Sequence, residues 1–281
     1  MRNLVSSALA TASLLLTATA CAGGTAALVL QYDPGTGYAT DWATGAGFTN
    51  APAVLGEPSR QTVDPDPQFG GTYAVDPFSP PYLASQIASI GAGGSLTVQL
   101  SEPAVRDPNH PFGIDFLVFG SSGFLIVNGD YTGGGVTDGT LFGAQTGQTR
   151  VEVSADGQTF YTLSPSLAPV FDNYLPTDGA GDFYRPANPA LGETDFADKN
   201  LAQIRALYAG SAGGTGYSLA WARDAQGNPV ALAQASFVRL DVLSGHAEID
   251  AVVAVPEPAT WALLALGAAG LALTGRRPKT S

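Results

Sequence analysis

Ser95-Leu-Thr-Val-Gln-Leu100 alternates polar and apolar residues at every step. Because successive side chains of a β-strand point to opposite faces, its leucines and valine share one face, while Thr97 and Gln99 lie on the other. This alternation predicts a half-buried strand with one face against a hydrophobic core.

Four further stretches predict strands. Residues 114–119 are apolar on both faces except at Asp115, which is typical of a central strand covered on both sides. Residues 150–154 alternate again and run into an Ala-Asp-Gly hairpin turn, while residues 237–243 and 249–253 form a final pair. A buried Asp115 needs a partner, and Arg150 and Arg239 are the candidates by residue type.

Residues 198–208 break the pattern, since their apolar residues recur at helical spacing. Asp198 is positioned to cap this helix, and Gly210 to end it. We expect a flexible loop of small residues at 211–216 and a strand at 217–222 that carries Trp221. With 35 glycines and 20 prolines between short strands, the chain is predicted to be an all-β sandwich with one short helix.

The charge balance limits the classes of partner. The 281 residues include 24 acidic and 12 basic side chains, a formal net charge of −12. Such an anionic protein repels nucleic acid, so no nucleic-acid partner is expected, whereas divalent cations and neutral sugars are compatible with it.

The C-terminal segment has three parts. Val255, Pro256, Glu257 and Pro258 are followed by an uncharged apolar run at residues 259–275, and then by the basic residues Arg276, Arg277 and Lys279. As a helix the run would measure roughly 25 Å, a short membrane span. The three cations would hold its far end in the cytoplasm.

This layout resembles the PEP-CTERM sorting signal of bacterial surface proteins. The resemblance implies a sorting signal at residues 255–281 with a transmembrane helix at 259–275, and an exosortase that cuts near Val255 to Pro258. A permanent membrane helix, which gives the same topology, is the alternative.

The N-terminus is typical of a secretory signal peptide. Arg2 precedes an apolar stretch, and Ala18-Thr-Ala20 offers small residues for cleavage, so residues 1–20 are predicted to be removed after export by the general secretory machinery. Cleavage as late as Ala27 is the alternative. Cys21 is the single cysteine of the chain. Cleavage after Ala20 would leave it at the new N-terminus, where it could be lipidated, and cleavage after Ala27 would remove it.

The body between the two signals, residues 28–253, is predicted to be one extracellular domain. The sequence segments at residues 91–98, 113–119, 151–157 and 219–230 resemble segments of exported bacterial surface proteins that have a jelly-roll-like sandwich. This resemblance implies a fold and not an activity.

The sequence offers no motif for catalysis. Its two histidines lie in turn-like sequence, the nucleophile motif G-x-S-x-G is absent, and no zinc-ligand or phosphate-binding pattern occurs. We therefore predict a protein that is not an enzyme. A matrix glycosidase or lyase stays open, because a glycosidase needs only a pair of carboxylates.

Two kinds of ligand are expected from residue type. A structural calcium ion is compatible with the many Asp oxygens, and its candidate ligands are Asp64 and Asp66 in one loop and Asp172, Asp178 and Asp182 in another. The alternative is that these carboxylates cap turns. Trp42 and Tyr174 lie in loop-like sequence and are the candidates for stacking against a sugar ring, with packing inside the protein as the alternative.

Together these features predict a non-enzymatic exported protein. We expect it to be held transiently in the inner membrane of a Gram-negative-type bacterium and then passed to the cell surface or an extracellular polysaccharide or biofilm matrix. The predicted partners are the secretory machinery, an exosortase and a surface polysaccharide. A glycan-binding module, with or without calcium, is the alternative function.

Overall fold

The computed structural model describes residues 23–63, 70–143, 147–172 and 175–257. The strands within these residues are β1 (Ala26–Asp33), β2 (Gln61–Val63), β3 (Thr72–Ala74), β4 (Ala88–Gly91), β5 (Ser95–Val105), β6 (Phe116–Gly120), β7 (Gly123–Phe124), β8 (Val136–Thr137), β9 (Leu141–Phe142), β10 (Gln148–Ser154), β11 (Tyr161–Leu163), β12 (Lys199–Asn200), β13 (Thr215–Tyr217), β14 (Ala222–Arg223), β15 (Gln234–Ser244) and β16 (His246–Ala254). The α-helices are α1 (Glu193–Phe196) and α2 (Leu201–Tyr208), and 3-10 turns lie at Ala51–Val54, Pro111–Gly113 and Leu219–Trp221.

The larger sheet has six antiparallel strands in the order β1-β5-β15-β10-β11-β14. The alternating stretch Ser95–Leu100 lies in β5, which continues to Val105. Leu240 of β15 lies opposite Leu96 of β5 on one side and Val151 of β10 on the other. The alternating apolar residues of three strands therefore meet on one buried face, as the period of two predicts.

The second sheet has four antiparallel strands in the order β13-β6-β16-β4. Its strand β6 is buried along almost its whole length, in agreement with the prediction of a central strand. Short two-stranded ribbons, β2-β3, β7-β9 and β8-β12, lie outside the two larger sheets.

One hydrophobic cluster joins the two larger sheets. It contains Leu96 and Leu240 from the six-stranded sheet together with Val118 and Ile249 from the four-stranded sheet, all fully buried. The prediction of a mostly β protein is confirmed. The jelly-roll type of the sandwich stays a prediction.

The predicted helix exists, but it begins later than expected. Asn200 caps α2, since its side chain accepts from the Gln203 amide and the Gln203 side chain accepts from the Asn200 amide, both at 3.0 Å. Asp198 has a left-handed backbone with φ of 60° and precedes the short strand β12, so its role as the cap was wrong. The spacing of apolar residues did not predict the four-residue helix α1.

Two further expectations for this region were wrong. Residues 211–215 are buried, and the stretch we expected to be a flexible loop leads directly into β13, which pairs with β6. Trp221 lies in a 3-10 turn between β13 and β14, where Ser218 caps the turn by accepting from the Ala220 amide. A side chain at Gly213 would approach the Pro176 and Leu175 carbonyl oxygens to 2.5 and 2.6 Å, and one at Gly214 would approach the Phe119 ring to 2.9 Å.

The predicted signal peptide at residues 1–20 and the predicted span at 259–275 lie outside the described residues. Within the part of the chain that the structure describes, no helix is both long and apolar enough to cross a membrane.

Candidate functional site

The segment that leads into the C-terminal signal is fixed to the body by hydrogen bonds. The Val255 amide donates to the Asp115 carbonyl oxygen at 3.0 Å, and the Ala254 amide donates to the Gly24 carbonyl oxygen at 2.7 Å. Val255 is buried, Pro256 is half-buried and Glu257 is exposed. The chain therefore passes from packed structure to solvent within three residues.

Asp115 anchors this junction, and its partners differ from those we expected. Its carboxylate accepts from the Leu219 amide at 2.7 Å and from the Ser218 hydroxyl at 3.3 Å, and it lies 2.9 Å from His110 Nδ1. It precedes the first residue of β6, so neighbouring turns supply these groups.

Neither predicted arginine pairs with Asp115. Arg150 instead forms an ion pair with Asp241 at 2.8 Å, and Arg239 forms one with Glu152 at 3.2 Å. Both arginines lie on strands of the six-stranded sheet, β10 and β15, and pair with carboxylates of that same sheet. Residue type alone could not tell these carboxylates from Asp115.

A second group of polar residues lies beside β16. The Glu248 amide donates to Asp172 Oδ2 at 2.9 Å, and the Ser121 hydroxyl donates to the Glu248 carboxylate. Burial raises the pKa of Asp172 well above its ordinary value, and the nearby Glu248 charge raises it further. Burial also raises the pKa of Glu248. The two carboxyls therefore retain protons at a pH where exposed carboxyls are ionised.

Glu248 also lines a surface cleft of about 270 Å³ together with Trp42 and Asp41. Trp42 is 66% exposed. Its turn is held by Asp41 Oδ1, which accepts from the Ala43 amide at 2.8 Å and the Thr44 amide at 3.1 Å. The predicted sugar-stacking tryptophan thus lies in the same cleft as a carboxyl with a raised pKa.

A neighbouring cleft of about 630 Å³ is lined largely by aromatic side chains, and Tyr82 and Phe142 line both clefts. Its other aromatic residues are Tyr73, Phe78, Phe124 and Tyr131. Tyr131 is 75% exposed and Tyr73 is 42% exposed. We call the two clefts together the aromatic groove. No local sequence pattern indicated that Tyr131 lines the same cleft as Tyr82.

The described candidate calcium ligands each bind other groups of the protein. Asp178 forms a two-point ion pair with Arg205 at 2.7 and 2.9 Å, and Asp182 accepts from the Tyr184 amide at 2.9 Å. Among the residues that the structure describes, no group of three or more His, Cys, Asp or Glu side chains is placed to hold a metal ion. Calcium binding stays a prediction.

Several sequence-predicted site residues lie outside the described residues, so their prediction is unchanged. They are Tyr174, Asp64, Asp66, Pro258, Arg276, Arg277 and Lys279.

Comparison with known proteins bears on the C-terminal segment. Residues 254–277 match a family model described as the PEP-CTERM protein-sorting motif. The match includes the Pro-Glu-Pro tripeptide, the apolar run and the first two basic residues, so the predicted sorting segment is confirmed. A comparison with curated proteins gave no match. The chain carries a PEP-CTERM protein-sorting motif, which indicates a protein that an exosortase sorts toward the cell surface.

Proposed function

We propose that this protein is a non-enzymatic component of a bacterial surface or extracellular polysaccharide matrix. The secretory machinery exports it, residues 259–275 hold it transiently in the inner membrane of a Gram-negative-type cell, and an exosortase cuts it near Val255 to Pro258. The observation that carries this proposal is the sorting motif at residues 254–277, which follows directly on the last strand of the body.

The geometry of the junction supports cleavage at this place. Strand β16 ends at Ala254, and Val255 is the last residue with a backbone hydrogen bond to the body among those the structure describes. A cut at or after Pro256 removes no paired strand residue. The body then keeps its hydrogen bonds and its core after release from the membrane.

The beginning of the body supports the earlier of the two predicted signal-peptide cuts. Thr25 forms a β-bridge with Val253, and β1 begins at the buried Ala26. Cleavage after Ala27 would remove these residues and leave the edge of β16 without a neighbour there. Cleavage after Ala20 leaves them in place, and it keeps Cys21 in the mature protein.

Mass spectrometry of both chain ends tests the proposal. The protein is recovered separately from the membrane, the cell surface and the medium of the producing cells. We expect the outer fractions to begin at Cys21 and to end between Val255 and Pro258. A variant with Ala at Pro256, Glu257 and Pro258 should stay uncut in the membrane fraction. Glu102→Ala, at an exposed residue of β5, is the matched control and should be processed normally. Intact residues 259–281 in the outer fractions of the unaltered protein would contradict the proposal.

A matrix glycosidase or lyase is the second candidate, because one observation favours it. A glycosidase needs a general acid with a raised pKa and a second carboxylate nearby. Glu248 has a raised pKa and lines the same cleft as Asp41 and the exposed Trp42. Reproducible cleavage of a polysaccharide that Glu248→Gln or Asp41→Asn abolishes would replace the non-enzymatic proposal with this one.

A further inference from the structure

The aromatic groove exposes more aromatic surface than folding alone explains. Trp42, Tyr131 and Tyr73 are 66%, 75% and 42% exposed, and all three line its two clefts. Single exposed apolar residues are ordinary, but a cluster of large ones on a monomer surface is typical of a binding site. Rings with two rotatable bonds also lose little conformational freedom when a ligand covers them.

The shape of the groove favours an elongated ligand. The clefts of about 270 and 630 Å³ share Tyr82 and Phe142, so the aromatic lining continues from the cleft with Trp42 into the cleft with Tyr131. A compact metabolite would occupy one cleft and leave the other exposed to water. A chain molecule can cover both.

The polar groups of the groove suit a ligand rich in hydroxyls. Glu248 and Ser121 line the cleft beside Trp42, with the carboxylate already oriented by the serine hydroxyl. Asp41 lines the same cleft, and Ser79 lines the other. These side chains lie beside apolar ring faces, which is the combination that a sugar needs for hydrogen bonds and stacking together.

The charge of the protein selects among polysaccharides. The formal net charge is −12, and the described residues that line the groove include Asp41 but no Lys or Arg that could attract an anion. Acidic polysaccharides and anionic membranes would be repelled, and an uncharged chain would not. An apolar peptide would cover the rings but would add no hydrogen-bond donor to the carboxyl oxygens of Glu248 and Asp41, which now accept from the Ser121 hydroxyl and from the Ala43 and Thr44 amides.

We propose that the aromatic groove binds a neutral polysaccharide chain, whose sugar rings stack on Trp42, Tyr82 and Tyr131 and whose hydroxyls bond to Glu248 and Asp41. This inference rests on the proposed function, since it names the ligand class that a matrix protein of this kind would hold.

Isothermal titration calorimetry of the full chain in mild detergent tests the groove. The probes are cellohexaose, laminarihexaose and the neutral polysaccharide fraction of the producing cells, with polygalacturonate as the acidic comparison. We expect at least one neutral probe to bind and polygalacturonate not to bind. Trp42→Ala and Tyr131→Ala should each weaken binding about tenfold, equivalent to about 1.4 kcal/mol. Trp42→Phe should keep most of the affinity because it keeps a ring.

The controls separate binding from folding and from sorting. Leu167→Ala alters another exposed apolar residue, one that lines neither cleft, so it should bind like the unaltered chain. Thermal unfolding of every variant should be unchanged, because these side chains are exposed. Failure of all neutral probes to bind, or equal loss in Leu167→Ala and Trp42→Ala, would overturn the inference. Processing at Val255 to Pro258 is measured separately, so its outcome shows whether the proposed function fails as well.

Discussion

Asp250→Asn should change how the stability of this protein depends on pH. Asp250 is almost fully buried in β16, at the register shift between Ile249 and Ala251 in the pairing with β6. Its carboxylate oxygens accept from the Ser59 amide and the Ser59 hydroxyl, both at 2.8 Å. Burial nevertheless raises the pKa of Asp250 from 3.8 to about 7. The two hydrogen bonds offset only part of the cost of burying the charge.

The sign and size follow from the difference between the folded and unfolded chains. Since the folded pKa is higher, the stability that protonated Asp250 contributes is fully present below pH 3.8 and is lost as the pH rises through about 7. A pKa difference of about 3 corresponds to about 4 kcal/mol at most, at 1.36 kcal/mol per pKa unit. Asn keeps the shape without a charge: its oxygen can accept from the Ser59 amide while its NH2 group donates to the Ser59 hydroxyl oxygen, so it should not show this loss.

Urea unfolding of the full chain in detergent, measured from pH 4 to pH 8, provides the assay. The free energy of unfolding of Asp250→Asn minus that of the unaltered chain should rise by up to about 4 kcal/mol across this range. Asp224→Asn is the control. Hydrogen bonds from Asn228 lower the pKa of Asp224 below its ordinary value of 3.8, so its contribution to stability is lost only at a lower pH, and the difference in the free energy of unfolding should stay nearly constant from pH 4 to pH 8. A constant difference for Asp250→Asn from pH 4 to pH 8 would refute the reasoning.

Three further predictions about the packing can be tested by urea unfolding. Arg205→Ala leaves the buried Asp178 carboxylate without its ion pair and should lower the free energy of unfolding by about 3–5 kcal/mol. The double variant Arg205→Ala with Asp178→Asn should recover part of this loss. Equal losses in the single and double variants would contradict the reasoning. Gly213→Ala places a methyl within 2.6 Å of two backbone carbonyl oxygens, while Gly227→Ala has a similar φ but open space. Gly227→Ala should therefore cost about 1–2 kcal/mol and Gly213→Ala distinctly more; similar losses would argue against the tight contact. Leu240→Ala removes a core side chain shared by three strands and should cost about 2–5 kcal/mol; a loss below 1 kcal/mol would mean that this core is less tightly packed than described.

The aromatic groove and the carboxyl pair illustrate what local sequence patterns cannot reveal. Trp42 was identified as a candidate because it is aromatic and lies in a loop-like stretch. Its neighbours in the groove, Tyr82 and Phe142, come from segments 40 and more residues away in the chain. Glu248 and Asp172 are 76 residues apart, and the Glu248 charge adds to burial in raising the pKa of Asp172. No periodicity in one segment records which distant segment it will face.

Helix α2 shows that the sequence predicts even a local element better than it predicts where that element begins. Apolar residues at helical spacing indicated α2 correctly, because amphipathic helices place one face on the core. Its first residue was misplaced, since Asp198 and Asn200 are both good caps by residue type. Pairing of Lys199 and Asn200 with β8 decides between them, because it extends the chain up to Asn200.

The order of residues was enough to predict the strands at the centre of both sheets, the mostly β class of the body and the sorting motif at residues 254–277. Each depends on neighbouring residues: a side-chain period of two, turn residues between runs, and a tripeptide followed by an apolar run and cations. The partners of Asp115, the contact of Asp172 with Glu248 and the assembly of the aromatic groove became known from the folded chain alone. These depend on contacts between distant segments, where burial and hydrogen-bond geometry select one partner among several of the same residue type.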